Sequence, residues 1–191
     1  MSFVASRESA VNHRPDVWKG LAAGIVGGLV ASWVMEEFQS AWAKLSETTQ
    51  QNGSQRTSSG DGAQPQRDEA EQEPATVKAA EAVSEKVLGH HLKKGEKEMA
   101  GNAVHYATGG ASGAVYGVAA EFVPQLTAGA GLPFGTAVWL VVDETAVPLL
   151  GLSKAPMQYP LSTHVYALAS HFVYGLTTEA VRRTLRKTIL S

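Results

Sequence analysis

Residues 99–142 read MAGNAVHYATGGASGAVYGVAAEFVPQLTAGAGLPFGTAVWLVV and hold one formal charge, Glu121. Continuing to residue 178 adds only Asp143, Glu144 and Lys154. A helix needs about 20 apolar residues to cross a hydrocarbon core of ~30 Å, and the uncharged windows 99–120 and 122–142 both reach that length. Soluble domains carry charge far more densely. The stretch therefore reads as membrane-embedded, and the rest of the chain is interpreted around it.

Whole-chain averages conceal this. With 191 residues, 44% hydrophobic, 18% charged and a mean hydropathy of -0.09, the composition is ordinary. The average mixes the nearly uncharged half with a polar insert, 46–98, that carries 17 charges. A net charge of -2 excludes a general nucleic-acid binder, which needs a basic face for phosphate. With no cysteine, disulfides, thiolate metal sites and cysteine nucleophiles are excluded.

Toward the N-terminus, residues 1–16 form a polar segment with Arg7 and Arg14. They lack the basic head, apolar run and small-residue cleavage site of a secretory signal, so they are expected to stay. Residues 17–43 are the first expected transmembrane helix. Its uncharged centre, 20–35, lies between Lys19 and Glu36, with Trp18, Trp33 and Trp42 near its ends, where indoles favour the headgroup layer. Gly20, Gly24, Gly28 and Ser32 recur every four residues, a ridge that lets a second helix approach closely. That helix could belong to the same chain or to a second copy.

Residues 44–73 are too polar to offset their ordering entropy and are expected to be a disordered loop. An amphipathic helix is expected over 74–92, opened by Pro74 and stopped by Gly89. Val77, Ala80, Val87, Leu88 and Leu92 share one side of its wheel, so it should lie on the bilayer surface or on the bundle. Residues 99–187 then supply three further transmembrane helices and a basic tail. In the first of them Gly101, His105, Gly109, Gly113, Gly117 and Glu121 stand four apart. His105 and Glu121 are thereby about 24 Å apart along the axis. The next starts near Pro133, and Pro148 should loosen its last turn by clashing with the carbonyl of Glu144. The last runs from 161 into Arg182, Arg183, Arg186 and Lys187. The expected fold is all-α: a multi-pass bundle of about four transmembrane helices with one amphipathic helix in the first loop. Lys19, Arg14 and the basic tail favour cytoplasmic termini, while Lys93, Lys94 and Lys97 argue the other way.

From about residue 101 to 186 the chain resembles the YagU-like bacterial inner-membrane proteins, a family of unknown molecular function. The shared features are His105 and Glu121 followed by Pro124, then the run Pro148-Leu149-Leu150-Gly151-Leu152. The pair His171 and Glu179 and the run Arg182-Arg183-Thr184-Leu185-Arg186 complete the set. The resemblance implies a multi-pass protein of the bacterial cytoplasmic membrane with a link to acid tolerance. The acidic insert and the pair Asp143 and Glu144 depart from that pattern.

Ionisable groups within a span cost about 2.5–3.5 kcal/mol at mid-membrane, which makes them functional candidates. His105, Glu121, Asp143, Glu144, His164, His171 and Glu179 are the candidate proton or ion pathway. On alternating spans they form three layers: His105 and His164 outside, Asp143, Glu144 and His171 central, Glu121 and Glu179 at the cytoplasmic boundary. A plainer account stands beside it, in which Glu121 and Glu179 end their helices, Glu179 pairs with Arg182 or Arg183, and the histidines bond neighbouring helices.

No catalytic motif is present, and no enzyme activity, cofactor or metal is expected. His164 and His171, seven residues apart, stand about 10.5 Å apart along a helix, too far for one metal. The bilayer is the expected partner. A second copy or a larger membrane complex, to which the protein would be an accessory, is the alternative class. A membrane metalloenzyme ranks last.

Overall fold

The computed structural model describes residues 15–54 and 73–188, and among these there is no strand. The first helix, α1 (Val17–Ser54), continues well past residue 43. Helix α2 (Ala75–Val83) follows Pro74 and runs into a wider π-type turn, Ser84–Leu88. Helix α3 (Lys94–Phe122) stops before Pro124, and a 3-10 segment, Pro124–Gly131, leads into α4. That helix starts as Leu132–Val138, widens to π geometry over Trp139–Ala146 and closes with Val147–Leu149. The last, α5, spans Leu161–Thr188. Most of the expected N-terminal segment and most of the expected disordered loop lie outside the described residues.

Each proline and glycine signal has a local counterpart. Pro133 sits in the first turn of α4, where its missing N–H costs nothing. Pro148 follows the widened stretch that contains Glu144, as expected when a ring displaces the carbonyl four residues earlier. Gly89 closes the α2 segment in the left-handed region, at φ 63°. One expectation fails there: Val87 is 73% exposed, although Val77 and Ala80 on the same expected face are buried. The π turn adds residues per revolution, so the face that seats Val77 and Ala80 does not continue to Val87.

The long helices pack along glycine rows. Side chains added at Gly20, Gly24 and Gly28 of α1 would collide with the backbone at Gly117, Gly113 and Gly109 of α3, so these two helices run antiparallel in backbone contact. Helix α5 runs parallel to α3. It brings Thr178 against Gly27, Tyr174 Oη onto the carbonyl of Gly109 at 2.6 Å, and Arg186 onto Glu121. Helix α4 returns along α5 through Gly131 and Gly135, which face Gly175 and His171. The buried apolar centre is small: Ala31, Met35 and Tyr174, flanked by Phe134 and Val138.

The outside is apolar instead. Ile25, Val26, Leu29 and Trp33 on α1 and Leu140, Val141 and Leu149 on α4 are exposed. Two described stretches, 17–46 and 124–149, are long and apolar enough to cross a bilayer, and the second is only 11% buried. A core helix of a soluble protein would be mostly covered, so the exposure of the second stretch agrees with a helix that could cross a membrane. Helices α3 and α5 fall below that hydropathy, so composition alone carries two of the four expected spans. Glycine, alanine and serine dominate α3, and residues of that kind contribute little apolar side chain.

Candidate functional site

The ionisable residues gather at two levels of the bundle. Glu121 closes α3 and is 3% exposed. It receives Arg186 Nε and Nη2 from α5, both at 2.8 Å, and the backbone N–H of Asp16 at 3.2 Å. Beside it Glu179, 1% exposed, accepts Arg182 Nε at 2.7 Å and Nη2 at 3.0 Å. Glu179 also accepts from Arg183 Nε and, at 2.9 Å, from Tyr116 Oη. Arg183 reaches on to the carbonyl of Thr127 at 2.7 Å. Two carboxylates and three guanidiniums thus bind the start of α1, the end of α3 and the end of α5 into one plug. The Glu179 pairing with Arg182 and Arg183 has the expected spacing, but Glu179 and Arg182 are interior and only Arg183 lies at the surface. Asp16, Tyr116 and Thr127 were not singled out in the sequence, because partners 56–105 residues away leave no local pattern.

At the opposite end of the helices lies a cavity of about 430 Å³, lined among others by Ser32, Met35, His105, Asp143, His171 and Tyr174. Helix α2 forms part of its rim through Pro74, Ala75, Thr76 and Ala79. Val77 seats α2 against Gly101 of α3, and Lys97 clasps it with ion pairs to Glu73 (3.1 Å) and Glu81 (3.0 Å). Those pairs, Glu81 foremost, hold the Lys97 ammonium above its ordinary pKa. Glu96, which accepts the Lys93 backbone N–H at 2.8 Å, is held below the usual carboxylate value by that bond first.

Within the cavity His171 Nδ1 stands 3.7 Å from Asp143 Oδ2 and 2.9 Å from the carbonyl of Ala167. The closer carbonyl fixes the proton on Nδ1. His105 Nε2 lies 3.4 Å from the carbonyl of Ser32, whose own buried hydroxyl finds no partner among the described residues. Glu144 turns the other way, into a second pocket of about 230 Å³ with Lys154, Tyr159 and His164. His164 Nδ1 meets Glu144 Oε1 at 2.7 Å, and its Nε2 meets the carbonyl of Pro156 at 3.0 Å. With acceptors at both ring nitrogens, only the imidazolium can donate twice.

His105, Asp143 and His171 are therefore brought together, Glu144 and His164 form a neighbouring pair, and Glu121 and Glu179 belong to the distant plug. The two histidines weighed as joint metal ligands, His164 and His171, occupy different pockets. One group on the surface brings three potential ligand atoms within 4.8 Å of one another: Glu81, Glu85 and His91. Glycines 131, 135 and 175 are packing residues that the sequence reading left aside, although Gly131 and Gly135 had the telling spacing of four.

Residues 58–180 match the family described as "Protein of unknown function (DUF1440)". No curated protein and no solved structure matches.

Proposed function

The protein belongs to the DUF1440 family, and from that premise we propose that it is a four-span integral membrane protein whose cavity at Asp143 and His171 exchanges protons or ions with one side of the bilayer. The observation that carries this reading is the meeting of Asp143 and His171, 3.7 Å apart, at a half-open cavity between the helices of an apolar-surfaced bundle. Ionisable groups at such depth are costly and need a compensating role. Packing supports α3 and α5 as spans where hydropathy does not: α1 lies on α3 from Gly20 to Ser32, so a bilayer that takes in α1 takes in α3 along the same length.

Asp143 and His171 are each suited to take up a proton, but not to hand it directly to one another, because the nitrogen that faces Asp143 is the Nδ1 whose proton is tied to Ala167. The Asp143 carboxylate accepts one, while the imidazole, with Nδ1–H tied to Ala167, presents Nε2 as the remaining basic nitrogen. The plug of Glu121, Glu179 and the three arginines stands at the other end as the barrier. Lys19, Arg182, Arg183, Arg186 and Lys187 gather at that end, which favours placing it in the cytoplasm. The resemblance to YagU-like inner-membrane proteins fits a bacterial cytoplasmic membrane and a part in acid tolerance.

The test is proton flux in liposomes. Wild-type protein should dissipate an imposed pH gradient, and Asp143→Asn and His171→Ala should each slow it at least tenfold. Wild-type flux equal to that of empty vesicles sinks the reading.

A further inference from the structure

A proton needs no room, yet the cavity beside Asp143 measures about 430 Å³. That lies in the range of small-molecule pockets, roughly 300–1,000 Å³. Its walls are mainly apolar, with Met35, Val138, Val142 and Leu150 among them. Polar groups share those walls, and three of them are committed. Tyr174 Oη is spent on Gly109, His171 Nδ1 on Ala167, and His105 faces the carbonyl of Ser32. Asp143 differs from all of these. Its side chain is 39% exposed, and among the described residues the carboxylate accepts no hydrogen bond, its nearest cationic partner being His171 at 3.7 Å. Its neighbour Glu144 is already balanced by His164 at 2.7 Å. A carboxylate that accepts no hydrogen bond and apolar walls are parts from which amine sites are built, with charge pairing at one end and apolar contact along the body.

We propose that this cavity binds a small organic monocation, a protonated amine with a short apolar body, whose ammonium pairs with Asp143. The inference rests on the same cavity as the reading above and assigns it an occupant other than the proton. A neutral molecule would leave the carboxylate with His171 alone, 3.7 Å away, and an anion would meet it as a like charge. The ammonium supplies three donors to a group that lacks any.

The test uses full-length protein in nanodiscs at about pH 8, titrated with n-butylammonium, 1-butanol and butyrate, with empty nanodiscs as blank. The chain has 4 methionines, of which Met35 lines the cavity while Met99 and Met157 are exposed outside it. Methyl-labelled methionine therefore reports the location directly. Butylammonium should shift the Met35 resonance and leave Met157 in place. Butanol and butyrate should bind at least tenfold more weakly. Asp143→Asn should weaken butylammonium at least tenfold and Asp143→Glu should retain it. Equal binding of butanol, a Met157 shift without one at Met35, or an unchanged affinity in Asp143→Asn overturns the proposal. Because the methyl readout needs no variant, it decides even if Asp143→Asn fails to fold. Proton flux that persists without amine binding overturns this inference alone, whereas amine binding without proton flux overturns only the proton reading.

Discussion

Glu179 is the side chain whose neutralisation should cost most. It is 1% exposed and accepts from Arg182, Arg183 and Tyr116, so Glu179→Gln leaves Arg182, itself 8% exposed, as an uncompensated buried cation. Breaking a buried pair from one side costs about 3–5 kcal/mol, and thermal unfolding in mild detergent should register a loss of that order. An unchanged midpoint would mean the plug is solvated and does not hold the helix ends together. Glycine rows permit a sharper comparison. A methyl group at Gly113 would run into the Gly24 carbonyl and lie 2.9 Å from the Gly28 backbone, whereas at Gly95 it meets nothing within 4 Å. Gly113→Ala should destabilise by about 1–3 kcal/mol, as overpacking does. Gly95→Ala should be neutral or stabilising by up to ~1 kcal/mol, since alanine loses less backbone freedom in a helix. Side-by-side melting of the two variants checks both.

Helix α2 is held at the cavity rim by Val77 in the space over Gly101 and by Lys97 between Glu73 and Glu81. Lys97→Met should free it. Because the chain has no cysteine, spin labels can be placed at Val83→Cys and Met157→Cys, both exposed positions, without removing anything native. Their distance distribution should broaden in Lys97→Met and stay narrow in the parent. The pH response follows from the direction of each shift. Lys97 has its pKa raised in the folded state, so its contribution is complete below the ordinary lysine value of ~10.4 and is lost only as pH climbs through the raised one. Glu96 has its pKa lowered, so its contribution is complete above ~4.3 and is lost as pH falls through the lowered one. Neither group titrates between, so neither Lys97 nor Glu96 should alter the label distance from about pH 6 to pH 9. At this scale the sequence was most legible where a residue type acts on its own backbone. Pro74, Gly89, Pro124 and Pro133 mark element ends because they lack a donor or a Cβ. The spacing of four in Gly20, Gly24 and Gly28 named a ridge but not its partner, since a close approach is a property of two helices. The π geometry of Ser84–Leu88 was invisible, and Val87 was misplaced with it. Asp143 and His171 illustrate the same limit: each was legible as an ionisable residue in an apolar run, but their meeting depends on how α4 returns along α5.

For the whole molecule the decisive question is the number of crossings. Hydropathy admits 17–46 and 124–149, and the proposal adds α3 and α5 from their backbone contacts with those stretches, Gly109, Gly113 and Gly117 against α1 and Gly175 against Gly131 and Gly135. Two spans and four spans place the connections differently. If α3 crosses, residue 83 and residue 125 lie on opposite sides of the membrane; if it does not, they share a side. If α5 crosses, residues 157 and 187 are likewise opposed. Single cysteines at Val83, Gln125, Met157 and Lys187, all exposed, can be probed with a membrane-impermeant maleimide in intact cells and in inverted vesicles. Val83→Cys and Met157→Cys should label together from outside, and Gln125→Cys and Lys187→Cys together from inside, where the arginine-rich end belongs by the positive-inside rule. Labelling of Val83→Cys and Gln125→Cys from one side would remove α3 from the crossings, and labelling of Met157→Cys and Lys187→Cys from one side would remove α5. The first outcome would also take His105 and the wall that α3 lends the cavity out of the hydrocarbon, leaving Asp143 and His171 without the enclosed site on which the energetic argument for them rests.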